Sequence, residues 1–232
     1  MYANINPKLE EHNNHTPAEQ GEETMNHQQS HPEHGNHSYS TTSEVTPKVS
    51  YANGEITIEL KGINNHAPEL EVSHEKYMHL IVVSSDLKEY HHLYPEQKGE
   101  GTYQVKANLA DNSYKAFVDI QPKGLQYEIR PIELQVGEAQ HAHGGNELVP
   151  DTDFTKTING QSVELTTRSF EVNKEVVLNF DVKGEKFEEY LGALGHVFIL
   201  DEAGKKFIHV HPVSNDKTVF ETHYFKSCET NL

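Results

Sequence analysis

The segment from His79 to Pro95 comes back at His196 to Pro212, a constant 117 residues later and without a gap. His79-Leu80-Ile81-Val82-Val83 returns as His196-Val197-Phe198-Ile199-Leu200, and Tyr90-His91-His92-Leu93-Tyr94-Pro95 as Phe207-Ile208-His209-Val210-His211-Pro212. Tyr103 meets Phe220 at the same offset, and Glu59-Leu60-Lys61-Gly62 is echoed by Asp181-Val182-Lys183-Gly184. Such self-similarity reads as two modules of one kind, so a fold assigned to the first must also suit the second.

The local pattern says which fold that is. Ile56-Thr57-Ile58-Glu59-Leu60 alternates with period two, and Tyr77 to Val83 is a nearly continuous apolar run. Thr102 to Leu109 and Tyr114 to Ile120 flank Asp111-Asn112-Ser113 and read as a hairpin, and Tyr127 to Val136 closes the series. No stretch sustains a helical period. Short strands at this spacing predict an all-β chain of two tandem antiparallel β-sandwich modules, over 48–136 and 154–232. The linker over 137–153 holds Gly144-Gly145 and Pro150. Counterparts of Tyr114 to Val136 would fall at about residue 231 onward. The second module is therefore expected to be C-terminally incomplete, and either less stable or completed by a partner's strand.

Residues 1–47 have no apolar period that could bury a face. Apart from Tyr2, the aromatic residues all lie beyond position 38, which predicts a disordered tail. The tail carries His12, His15, His27, His31, His34 and His37, the last three spaced at every third residue. The whole chain has 17 histidines among 232 residues and a net charge of −17. That charge argues against a nucleic-acid partner and, with no polybasic run, equally against anionic membrane surfaces, while it attracts cations. Neutral imidazole suits copper, zinc and nickel. The single Cys228 rules out an intrachain disulfide and a cysteine-based zinc knuckle. No stretch is apolar enough to span a membrane, and no signal peptide opens the sequence.

The constellation that carries chemistry is the repeated hairpin. In the second module the turn falls at Glu202-Ala203-Gly204-Lys205, so opposed residue numbers sum to about 407. His196 then faces His211, with His209 diagonal on the same face. Opposed Cβ atoms lie ~5 Å apart, close enough for imidazoles to share one ion. In the first module His79 and His92 take the places of His196 and His209, but Tyr94 replaces His211, which predicts weaker binding or a structural role. His91 points to the other face and reads as a surface residue. Buried structural histidines are the alternative for both hairpins, since Phe198, Leu200 and Phe207 share the ligand face. The expected metal ligands are His196, His209, His211, His79 and His92 in the hairpins, and His31, His34 and His37 in the tail. No Gly-rich phosphate loop, Gly-x-Ser-x-Gly elbow or His-Glu-x-x-His motif occurs, so no enzyme is expected.

The stretches Met78 to Leu87, Tyr90 to Pro95, Gly101-Thr102-Tyr103, Phe117-Val118-Asp119-Ile120 and Gly195 to Leu200 resemble the repeats of a family of bacterial envelope proteins. Those proteins are associated with copper and heavy-metal resistance and carry His-x-His-Pro hairpins. The resemblance spans about residues 55–225. It implies immunoglobulin-like sandwiches, an extracytoplasmic location, and a non-enzymatic metal-binding or metal-buffering role with copper first and zinc or nickel next. An envelope-protein partner is a further expectation. The chain departs from the pattern at Tyr94, in lacking an export signal, and at the missing C-terminal strands. The competing function is a structural or protein-interaction stalk with incidental histidines.

Overall fold

The computed structural model describes residues 2–4, 43–138, 151–158, 160–168, 175–182, 193–201, 203–214 and 218–223. The expected tail ligands His31, His34 and His37 lie outside them. Among the described residues every regular element longer than a single 3-10 turn is a β-strand, and every strand pairing is antiparallel.

The first unit begins with β2 (Thr46–Ala52) and β3 (Glu55–Lys61), joined through Asn53-Gly54. Both turn residues have positive φ, 53° and 77°, the backbone that a two-residue hairpin needs and that Asn-Gly tolerates best. There follow β4 (Leu70–Glu71), β5 (Met78–Ser84), β6 (Tyr90–Leu93), β7 (Glu96–Gly99), β8 (Thr102–Lys106), β9 (Asn112–Pro122) and β10 (Ile132–Val136). One sheet has the order β2-β3-β8-β7, the other β10-β9-β5-β6 with β4 added beside β9. Ile56, Ile58 and Leu60 from the first sheet meet Met78, Leu80, Val82, Tyr114, Ala116 and Val118 from the second. These alternate positions are the inward face of each strand, and the two sheets enclose one apolar core.

The second unit has β11 (Thr155–Ile158), β12 (Gln161–Thr167), β13 (Glu175–Val182), β14 (His196–Leu200), β15 (Phe207–Val210) and β16 (Val219–His223). The sheet β11-β12-β13-β16 covers a smaller core of Val176, Leu178, Phe180, Val197, Ile199, Val210 and Phe220.

Two expectations need correction. The segments around Asp111-Asn112-Ser113 do not form a hairpin: β8 pairs with β3 and β7, whereas β9 pairs with β5 and β10. Turn residues mark a change of direction equally when the chain crosses between sheets, and only the distant partners tell the cases apart. The expected disordered tail is also shorter than 1–47 at its C-terminal end, because Val45 is buried and β2 starts at Thr46.

Its other end contributes too. A strand β1 (Tyr2–Asn4) pairs with β14, Ala3 opposite Val197. In the first unit Leu80, the residue 117 positions before Val197, pairs with Val118 of β9. Thus β1 lies antiparallel on β14 where β9 lies on β5. The edge expected to await a partner's strand is paired from within the chain at His196, Val197 and Phe198.

Strand β5 is buried at all seven positions and β14 at four of five. An antiparallel strand with one solvated face would alternate. Both faces are covered here because the units pack on each other. Ile81, Val83 and Phe117 form a third apolar cluster with Phe198, against which Leu200 and Phe207 pack. The Phe117 and Phe207 rings stack at 5.0 Å across this junction.

Candidate metal centre

The histidines stand at the rim of that junction because of strand register. In β14–β15, Phe198 pairs with His209 and Leu200 with Phe207, so partner numbers sum to 407 as the turn position predicted. Continued past Val210, the register sets His211 opposite His196. In β5–β6, Ile81 pairs with His92 and Val83 with Tyr90, a sum of 173 that sets Tyr94 opposite His79. Shifting both partners by 117 converts 173 into 407, so the two hairpins have one register.

In the second unit His196, His209 and His211 each offer a ligand atom, and these atoms lie within 4.8 Å of one another. Three histidines are thus close enough to hold a metal ion. The Nδ1 of His196 is 3.3 Å from Nε2 of His209, near the ~3.4 Å edge of a tetrahedron with 2.0–2.1 Å metal–nitrogen bonds. Bringing the whole trio to such spacing takes a ring movement on the order of 1 Å. Among the described residues His211 Nε2 is buried and has no hydrogen-bond partner, a condition it shares with His91 Nε2 on the other face of the first hairpin. A buried nitrogen in that condition is costly unless something else occupies its lone pair or proton.

In the first unit the expected ligands His79 and His92 also come together, their Nδ1 and Nε2 atoms 3.0 Å apart. Here the hydrogen-bond network fixes every proton. The carbonyl of Ser73 can only accept, so His79 Nε2–H donates to it at 3.1 Å. His79 Nδ1 is then the acceptor for His92 Nε2–H. His92 Nδ1 in turn accepts the Tyr94 hydroxyl at 3.0 Å. No ring nitrogen of this pair is left over. His91 turns the other way but is half-buried, 3.7 Å from Glu89, rather than lying on the open surface.

The two sets belong to one cluster. The His79 and His209 rings are 5.6 Å apart and the His92 and His196 rings 5.4 Å apart, equivalent contacts under the 117-residue shift. The first unit adds two side chains that sequence reasoning gave no role. Asp119 on β9 places Oδ2 2.8 Å from His209 Nδ1, and the ring of His74 stacks on His211 at 3.4 Å and 14°. Asp119 had a signal, a carboxylate inside the apolar run Ala116 to Ile120. His74 had none, as it sits in the turn between Ser73 and Lys76.

Burial pushes His79, His92, His209 and His211 toward the neutral form. It pushes His92 down to about 2, with His79, His196 and His209 adding to the effect. Burial likewise drives His209 and His211 far below the usual imidazole range, and their neighbouring histidines reinforce it. His79 is lowered by burial, against the opposing pull of the Ser73 carbonyl and Asp119. Asp119 is raised by burial, with His79 and His74 drawing it back. Neutral imidazole is the form of histidine that can ligate a metal ion.

No curated protein matches the chain. Two crystal structures of TarS from S. aureus align with it at 14% and 12% identity, the second a 217–571 fragment. Each alignment has a TM-score of 0.23, too loose to carry an argument about fold or function. They cover 81% and 82% of this chain but only 36% and 57% of those chains. One family model matches residues 33–137 and 156–229, most of the sequence, and the chain belongs to that family, described as Domain of unknown function (DUF8832).

Proposed function

We propose that the chain is a non-enzymatic metal-binding or metal-buffering protein that holds a transition-metal ion at His196, His209 and His211. Copper is the first choice, zinc and nickel the next, since all three accept neutral imidazole. The observation that carries this reading is the grouping of His196, His209 and His211 with ligand atoms within 4.8 Å of one another, one of them, His211 Nε2, buried without a hydrogen-bond partner among the described residues. The six tail histidines would add weak, exchangeable sites. The resemblance to envelope repeats favours an extracytoplasmic setting and an envelope-protein partner.

The decisive substitution is supplied by the first unit. His211→Tyr reproduces Tyr94, keeps an aromatic ring and removes one ligand. Calorimetric titration of the full chain with Cu2+, and separately with Zn2+, should show one tight ion plus weaker ones. His211→Tyr should lose the tight phase and keep the weak one. An unchanged titration rejects the site.

A second reading has its own observation. The satisfied network His79–His92–Tyr94 supports a structural role for the first hairpin, as polar packing in a two-unit interaction stalk.

A further inference from the structure

We propose that the metal centre is a clasp between the two units, in which Asp119 of the first unit is a positioning residue for His209 of the second. The inference rests on the metal-binding reading of the previous subsection. Asp119 lies on β9, opposite His79 in the β5–β9 ladder, and its side chain faces the junction. It accepts a hydrogen bond from His209 Nδ1–H at 2.8 Å. That bond fixes the tautomer: with its proton on Nδ1, His209 turns an Nε2 lone pair toward His196 Nδ1 at 3.3 Å, where it accepts that ring's proton or, once the proton leaves, can ligate a metal. A carboxylate behind a ligating imidazole orients the ring and raises its basicity, and loss of such a partner costs 10- to 100-fold in metal affinity.

The ligands thus come from one unit and their support from the other. His74, also in the first unit, stacks on His211 and limits how that ring can turn. Other contacts also cross between the units: His92 packs edge-on against Phe198 at 4.8 Å, and Lys115 Nζ donates a hydrogen bond to the Ala203 carbonyl. If docking of the units improves the site, metal must improve docking by the same factor, since coupling between two equilibria is reciprocal. Metal occupancy would therefore set the rigidity of the two-unit arrangement. The protein would report metal through the relative freedom of its halves.

The test uses the full chain, Zn2+ as the probe, and three proteins: wild type, Asp119→Asn and His211→Tyr. Zn2+ affinity is measured by chelator competition, and amide exchange is followed at 81–83, 117 and 198–200 with and without metal. Asp119→Asn should bind Zn2+ 10- to 100-fold more weakly, and its junction amides should lose their metal-dependent protection. Asp119→Glu, which keeps the charge, should recover part of the affinity. A purely structural carboxylate would instead lower the unfolding midpoint of the metal-free protein and leave Zn2+ affinity of the folded form unchanged. That result overturns the clasp. If wild type binds tightly, His211→Tyr abolishes it and Asp119→Asn matches wild type within twofold, the metal site stands and the clasp falls. If His211→Tyr matches wild type, both readings fall together.

Discussion

The hairpins β5–β6 and β14–β15 have the same length of turn, the same register and a similar ring contact, His79 with His92 at 5.3 Å and His196 with His209 at 5.5 Å, yet they treat the third position of the set differently. In the first, Tyr94 donates to His92, His92 to His79 and His79 to Ser73, and the chain of donors ends on a carbonyl. In the second, histidine replaces that tyrosine, and a nitrogen is left without a partner. One residue in three decides whether this face of the hairpin is closed by its own hydrogen bonds or keeps a nitrogen that a ligand could use. A hydroxyl supplies one donor that can rotate to suit, whereas imidazole brings a fixed donor and a fixed lone pair that both need partners.

The largest effect that would expose the shared part of this design is acid. His79, His92, His209 and His211 are all depressed by burial below the ~6.5 of an exposed imidazole. A group whose folded value is depressed contributes its full stability above the unfolded value and loses it as pH falls toward the folded value. Each histidine can therefore withdraw up to ~1.4 kcal/mol per pH unit below about 6.5, and four give a ceiling near 5 kcal/mol per unit. The raised carboxyl of Asp119 works in the opposite sense, from the ordinary carboxylate value upward to its own raised one. Urea midpoints of metal-free protein should be flat from pH 8 to 7 and drop steeply from 6.5 to 5.5. Exposed imidazoles would release metal across that range by simple protonation. Buried ones should keep it until the fold gives way, so metal release and loss of tertiary signal should coincide. Release well before unfolding would mean that the rings are accessible to protons in the folded state.

The apolar half of the junction comes next. Phe198 is fully buried and contacts Tyr90, His92, Phe207 and His209, while its counterpart Ile81 is smaller and equally buried. Phe198→Ala should cost about 3–5 kcal/mol and Ile81→Val about 0.5–1.5 kcal/mol. Both are read from denaturant midpoints at pH 7.5. Equal losses for the two substitutions would mean that the junction does not depend on the phenyl ring.

Exchanging the residue that separates the hairpins should have a smaller effect. Tyr94→His removes the donor to His92 and leaves a buried nitrogen unsatisfied, at a cost of about 1–3 kcal/mol without metal. The same protein should regain part of that stability on adding Zn2+ if the first hairpin then resembles the second. Stability that stays low with metal would confine the site to the second unit.

What could be read beforehand divides along physical lines. The pairing of Phe198 with His209 and the shared face of the three histidines were legible because a turn and a period of two fix a local register. The apolar character of Phe198, Leu200 and Phe207 was legible, but what covers them was not. Covering them takes β5 and β9, and β9 reaches β5 across a crossover between sheets that turn residues alone mimic as a hairpin. Asp119 and His74 enter the site only through that docking, so no spacing in the sequence could announce them.

The smallest effect concerns the one place where the second unit borrows. Strand β1 lies on β14 in the position that β9 holds on β5, but with three residues in place of eleven. Each net hydrogen bond contributes about 0.5–1.5 kcal/mol, and fixing each residue costs about 1–2 kcal/mol of backbone entropy. Three residues therefore nearly balance, and removal of Tyr2–Asn4 should change global stability by less than about 1 kcal/mol. The local consequence is larger than the global one. β14 would become an open edge, with its unpaired backbone groups available to water or to another chain. Amide exchange at Val197 should then rise while Leu80, held by β9, stays as it was. The deletion should also increase self-association at high concentration, measured by sedimentation. Unchanged exchange at Val197 would mean that β1 does not protect this edge, and the parallel between β1 and β9 would reduce to their direction alone.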